Sequence, residues 1–161
     1  MGCYVPAESY SGTIIDRIFT RLGAFDNMLA NKSTFFVELE ETSQIIRYAS
    51  SKSLVIVDEL GRGTSTFDGY ALARAVLNHL VNRIRCISMF TTHYRWLVDD
   101  PAFKFNQSVQ LCTMLVKRKK DIEGEEADEC SERAIVFLYK FIHGVSDSSF
   151  GIGVGEMAGL P

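Results

Sequence analysis

Two adjacent carboxylates, Asp58 and Glu59, follow directly on the apolar run Leu54-Val55-Ile56-Val57. A loop rich in glycine and hydroxyls comes next, Gly61-Arg62-Gly63-Thr64-Ser65-Thr66, and His93 ends a second apolar run downstream. Two acids beside a core are costly unless something cationic meets them. Mg2+ carrying a nucleotide phosphate is the partner that fits. Asp58 would hold the metal ion, and Glu59 would orient or deprotonate an attacking water. His93 would donate a hydrogen bond to a phosphate as charge shifts in the transition state. A further hydroxyl pair, Ser33-Thr34, opens an amphipathic stretch. A helix N-terminus there would offer free N–H groups and two hydroxyls to an anion, such as a phosphate held by a neighbouring molecule. Each residue also has a plainer reading: a strand running out into solvent, a strand-end histidine, an N-cap. The combination is what points to phosphate chemistry.

The elements that would position these residues follow from periodicity. Four aliphatic residues without alternation, 54–57, predict a strand buried on both faces, as in parallel sheets. Such sheets bind ligands just beyond the carboxyl ends of their strands. Thr13–Arg21 predicts another strand, with Ile14, Ile18 and Thr20 on one face, and 23–32 a loop. Ser33 or Thr34 caps a helix whose core-facing positions are Phe35, Leu39, Thr42, Ile46 and Ala49, ending near Ser50 or Ser51. Asp68 caps a second helix over about 69–83, with Tyr70, Ala73, Val76, Leu77 and Leu80 as its apolar stripe. Residues 86–91 form the next strand. Strand, helix, strand makes a right-handed βαβ unit. Asp58-Glu59 and His93 then lie on the same edge of the sheet.

Beyond Pro101 the pattern changes. Residues 105–116 and 134–142 predict an antiparallel hairpin around a charged stretch, 117–133, read as a solvated loop. A polar loop leads into a short helix over about 150–160. The fold class is therefore α/β with an antiparallel hairpin near the C-terminus.

Composition sets outer limits. The chain has 161 residues, 47% hydrophobic and 23% charged, with a net charge of −3. This suits one globular domain without a global basic footprint for nucleic acid. The four cysteines form no Cys-x-x-Cys pair, which predicts reduced thiols of an intracellular protein rather than a zinc site. No apolar run reaches membrane-span length. No Gly-x-x-x-x-Gly-Lys-Ser/Thr occurs, so nothing in the chain is expected to cradle α- and β-phosphates.

The strand ending in Asp58-Glu59 resembles the Walker B element of P-loop ATPases. Longer motifs are more specific: Gly2 to Ser9, Ile15 to Ala24, Ser33-Thr34-Phe35-Phe36-Val37-Glu38-Leu39, Leu54 to Gly69, Thr91-Thr92-His93-Tyr94, and Ser149 to Pro161. Together they resemble the MutS family of DNA mismatch-repair ATPases over almost the whole chain, and most of all its eukaryotic homologue 6 branch.

The resemblance implies an ABC-type P-loop ATPase core, with ATP and Mg2+ at sites shared between two subunits. It implies Asp58 as the Mg2+ ligand, Glu59 as the water-activating base and His93 as the switch histidine. Gly61, Arg62, Gly63, Thr64, Ser65 and Thr66 would form the D-loop, and Ser33 and Thr34 the signature helix completing the partner's site. It further implies a MutS-homologue partner of the homologue 2 type, contact with mismatched double-stranded DNA through other domains, and a nuclear location. The Walker A strand and loop of the family are missing from these residues, so the sequence reads as a domain V segment truncated at both ends. Alone, it is expected to hydrolyse ATP poorly or not at all. Two rivals remain at this level: a meiotic-type MutS homologue, and an inert interaction module.

Overall fold

The computed structural model describes residues 4–23, 33–118, 135–146 and 151–159. They fall in two compact units, Met1–Ala102 and Phe103–Pro161. Unit one contains a three-stranded parallel sheet of order β1-β2-β3, with β1 Ile18–Arg21, β2 Leu54–Val57 and β3 Ile87–Phe90. Helix α1, Thr34–Tyr48, connects β1 to β2. Helix α2, Thr66–His79, and a π-helical turn, Leu80–Ile84, connect β2 to β3. Two short helices follow, α3 Arg95–Asp99 and α4 Pro101–Lys104, the latter at the boundary between units.

The sheet is covered on one face. Two crossovers of the same hand, stepping in the same direction across a sheet, put both helices on one side. Ile45 of α1 and Leu80 after α2 accordingly pack with Val55, Val57 and Leu60 in a single core cluster, joined by Phe19, Ala49, Val76, Ile84, Cys86 and Phe90. The register separates the two faces. Phe19 pairs with Val55 and Val57 with Phe90 on the helix side, whereas Ile18, Leu54 and Ile87 share the other. The expectation of a β2 buried on both faces is therefore corrected: Val55 and Val57 are buried, but Leu54 and Ile56 only half so. Ile18 and Thr20 do share a face, but it is the one the helices leave uncovered.

The helices also differ from expectation in detail. Ser33 caps α1, its hydroxyl accepting from the Phe36 N–H at 3.2 Å. The buried positions are Glu38, Thr42 and Ile45, not the expected Phe35, Leu39 and Ile46. Phe35 and Leu39 instead line an open groove with Thr64, Asp68, Ala71 and Leu72. An acid took the core-facing stripe because a buried arginine meets it, as described below. Helix α2 starts earlier than expected, since Ser65 rather than Asp68 is its cap. Ser65 accepts from the Asp68 N–H at 3.2 Å, and its hydroxyl donates to the Asp68 carboxylate at 2.8 Å. Ala73 and Leu80 are buried as their spacing predicts. An edge-on contact of Tyr70 with Trp96, centroids 5.7 Å apart, and an Arg74–Asp100 ion pair at 2.6 Å tie α2 to α3 and the residue after it.

Asp16 anchors the entry to β1. Its carboxylate accepts from the Ser53 hydroxyl at 2.8 Å and from the Ser50 hydroxyl. These bonds, Ser50 first, hold its pKa below the ordinary carboxylate value. A depressed folded pKa contributes stability that is present above the unfolded pKa of about 3.9 and lost as pH falls through the folded value. Asp16→Asn should therefore lower the urea midpoint at pH 7, and its deficit should shrink below about pH 4. A deficit constant from pH 7 to pH 3 would show that the charge is not what matters.

In unit two, β4 Cys112–Arg118 and β5 Ile135–His143 form the expected antiparallel hairpin. β4 begins later than 105. Asn106 turns the chain first, its side chain accepting from the Ser108 N–H at 2.9 Å and its carbonyl from the Val109 N–H at 2.9 Å. The register shifts between Met114 and Val116, opposite Tyr139, whose φ is +52°. A short helix, α5 Gly151–Met157, follows. Residues 24–32 of the loop expected over 23–32, and residues 119–133 of the charged stretch 117–133, lie outside the described residues. Cys86 and Cys112 are free thiols. Among the described residues, no helix is long and apolar enough to cross a membrane.

Candidate functional site

Parallel pairing of β2 with β3, with Val57 opposite Phe90, brings Asp58-Glu59 and Thr91-Thr92-His93 to one edge of the sheet. Thr91 joins the two chain segments. Its hydroxyl donates to Asp58 Oδ1 at 2.5 Å and accepts from the Glu59 N–H at 3.1 Å. The Thr91 N–H in turn donates to the Val57 carbonyl at 3.0 Å. Asp58 thus has one oxygen fixed, and the peptide after it is pinned to β3. Glu59 takes a left-handed backbone conformation, φ +46°. For a residue other than glycine this stores about 1–3 kcal/mol of strain. Its carboxylate meets Arg62 Nη1 at 2.7 Å, with Arg62 75% exposed. His93 is exposed, its ring 4.2 Å from that of Tyr94.

The loop after the acids folds tightly on itself. Gly61 has φ +91°, and a Cβ there would lie 2.5 Å from the Gly69 carbonyl oxygen. A Cβ on Gly69 would meet the Tyr94 hydroxyl at 2.1 Å and the Gly61 carbonyl at 2.2 Å. Both positions therefore require glycine. A Cβ on Gly63 would lie 3.1 Å from that of Phe35, so the loop rests on the first turn of α1. Ser33 and Thr34, the cap and first residue of α1, directly precede Phe35 in that turn. Thr64 is half-buried and Arg62 exposed. Ser65 and Thr66, expected in the loop, are instead the cap and first residue of α2.

Sequence patterns did not single out the polar core beneath this loop. Arg21, at the end of β1, pairs with Glu38 of α1 at 3.2 Å, both side chains 4% exposed. Arg21 also faces Glu41 at 3.4 Å and donates to the Gly23 carbonyl. Glu38 Oε1 accepts from the Gly61 N–H at 2.5 Å, and the Tyr94 hydroxyl donates to the Gly61 carbonyl at 2.8 Å. Burial, with the Glu38 charge second, raises the Tyr94 pKa above its ordinary value. The available signal was an acid at position 38 in helical spacing with Thr42 and Ile45, together with a tyrosine next to His93.

The whole chain, residues 1–161, matches the family described as MutS domain V. It is 48% identical along its full length to the human DNA mismatch repair protein Msh6, of which it spans 11%. It is 43% identical to Arabidopsis thaliana MSH7 and 44% identical to Aspergillus niger msh3, in both cases over the full chain and 14% of the relative. The chain thus spans only about an eighth of the length of the curated relatives it matches. With the family matched end to end, and Asp58-Glu59 brought to the same sheet edge as Thr91-Thr92-His93, the chain belongs to the MutS family of DNA mismatch-repair proteins, as a domain V sequence similar to those of Msh6.

Proposed function

We propose that this chain supplies part of a composite nucleotide site in the ATPase domain of a protein that recognises mismatched double-stranded DNA as a MutS-type dimer. The observation that carries this reading is the Thr91 hydroxyl bridging Asp58 and the Glu59 peptide at the edge where His93 emerges. Parallel sheets bind ligands at this edge, which supports an ABC-type P-loop core. The donor set suits Mg2+. Asp58 offers a hard oxygen at a half-exposed position, and among the described residues no cluster of three or more His, Cys, Asp or Glu forms a closed cage. Mg2+ takes one or two carboxylates and completes its shell with water and phosphate oxygens.

The residues then divide the work. Asp58 would hold the metal ion, and the Thr91 bond keeps that carboxylate from rotating. Glu59 accepts the proton of the attacking water as it approaches the phosphorus. His93 donates a hydrogen bond toward the developing charge. Mg2+, when bound with ATP, would offset the charge of the phosphate oxygens. Cradling of the α- and β-phosphates falls to residues outside this chain, which has no Gly-x-x-x-x-Gly-Lys-Ser/Thr. Ser33 and Thr34, at the N-terminus of a 15-residue helix, face a phosphate of the partner's nucleotide. The partner is a MutS homologue of the homologue 2 type, mismatched DNA is gripped by other domains, and the protein works in the nucleus.

The test is made in the complete protein paired with its partner. Glu59→Gln silences the site of this subunit, leaving hydrolysis at the partner's site. Adding Ser33→Ala and Thr34→Ala should then lower the remaining turnover by about tenfold or more, since a lost donor at a phosphoryl-transfer site costs that much. Unchanged turnover would sink the assignment of these hydroxyls to the partner's site.

A further inference from the structure

The backbone of Gly61 is held from two sides by elements that belong to different ends of the proposed chemistry. Its N–H donates to Glu38 Oε1 at 2.5 Å, and Glu38 lies in the second turn of α1, the helix that begins at Ser33-Thr34. Its carbonyl accepts from the Tyr94 hydroxyl at 2.8 Å, and Tyr94 follows His93 directly. Gly61, Glu38 and Tyr94 are all buried. Water cannot take over either bond without the loop opening. The peptide has little freedom to move otherwise, since Gly69 is packed against both Gly61 and the Tyr94 hydroxyl. Glu38 is itself held in place by Arg21 at 3.2 Å.

We propose that Glu38 and Tyr94 are positioning residues that clamp the Gly61 peptide, and that this clamp couples the N-terminus of α1 to the His93 turn. A shift of α1 pulls on the Gly61 N–H through Glu38, and the same peptide pulls on the His93 turn through Tyr94. Two buried, hydrogen-bonded neighbours of one peptide move together or break together, which gives a contiguous physical route for coupling. Occupancy felt at Ser33-Thr34 is thereby transmitted to His93 and Glu59. The clamp itself is independent of what the site binds; its role in coupling two nucleotide positions rests on the function proposed above.

Tyr94→Phe tests the clamp with least disturbance, because it removes one hydroxyl and keeps the ring. Thr42→Val is the control: the Thr42 hydroxyl donates to the backbone carbonyl of Glu38 at 2.7 Å and touches neither bond of Gly61. Amide hydrogen exchange on this chain should show the Gly61 N–H exchanging at least tenfold faster in Tyr94→Phe and within twofold of wild type in Thr42→Val. An unchanged Gly61 amide in Tyr94→Phe, or equal acceleration in both variants, overturns the clamp. In the complete protein with its partner, Tyr94→Phe should lower kcat for ATP several-fold at unchanged KM. Faster Gly61 exchange with unaltered kinetics overturns the coupling. Glu59→Gln in the same assay reports on the nucleotide reading separately: full activity there refutes the assigned chemistry whatever the clamp does.

Discussion

Replacing Arg21 by alanine should cost about 3–5 kcal/mol of stability, because it leaves the Glu38 carboxylate buried without its cation. The pair sits at 3.2 Å with both side chains 4% exposed, so water cannot restore the lost solvation. Arg21 also closes the end of β1 through Glu41 and the Gly23 carbonyl. Set against a typical domain stability of about 5–15 kcal/mol, this loss is large enough to populate unfolded chain at room temperature. Arg62→Ala provides the contrast. The Arg62–Glu59 pair is shorter, at 2.7 Å, yet Arg62 is 75% exposed, and exposed pairs contribute at most about 1 kcal/mol. Burial rather than distance therefore ranks the two. Urea unfolding of both variants decides the matter: if Arg21→Ala costs no more than Arg62→Ala, the Arg21–Glu38 pair is solvated and the ranking is wrong.

Glu59→Gln in the complete protein should reduce ATP turnover at this subunit's site by about 10²–10⁴-fold, the contribution of a positioned general base. The amide keeps the size of the side chain and can still accept from Arg62, but it cannot take a proton from water. Mg-ATP affinity should change little, because the proposed metal contact is assigned to Asp58 and not to Glu59. Single-turnover hydrolysis measured beside nucleotide binding separates the two effects. A variant that binds normally and hydrolyses at the wild-type rate would remove Glu59 from the chemistry. The chain of 161 residues, assayed alone, should turn over little or no ATP with Glu59 intact, since its sequence has no Gly-x-x-x-x-Gly-Lys-Ser/Thr. Tight Mg-ATP binding by this chain alone would show that the division of labour is drawn in the wrong place.

The linear pattern determined a good deal by itself. Local signals sufficed for β2, for a cap at Ser33 or Thr34, and for a helix between Asp68 and the second apolar run, because apolar periodicity and capping chemistry act over a few residues. The co-location of Asp58-Glu59 with His93 was also legible: two parallel strands joined by a helix must end at the same edge. The Asp-Glu, Gly-rich loop and histidine motifs pointed to the family that the end-to-end match then established.

Tertiary structure alone decided the rest. Periodicity placed Phe35 and Leu39 of α1 in the core, yet Glu38 faces inward there. A carboxylate can occupy that stripe only because Arg21, 17 positions earlier at the end of β1, lies 3.2 Å from it. No rule based on one element's polarity can foresee a partner supplied by a distant one. The single covered face of the sheet likewise depends on strand order, which residue patterning does not encode. The roles of Thr91 and Tyr94 also emerged only in three dimensions. Each makes its bond across a chain separation of more than thirty residues, Thr91 to Asp58 and Tyr94 to Gly61. Local sequence sets which residues can do chemistry, because residue type and short-range geometry are local. Long-range packing sets which of them are held in place, because a buried polar group survives only where the fold brings its partner.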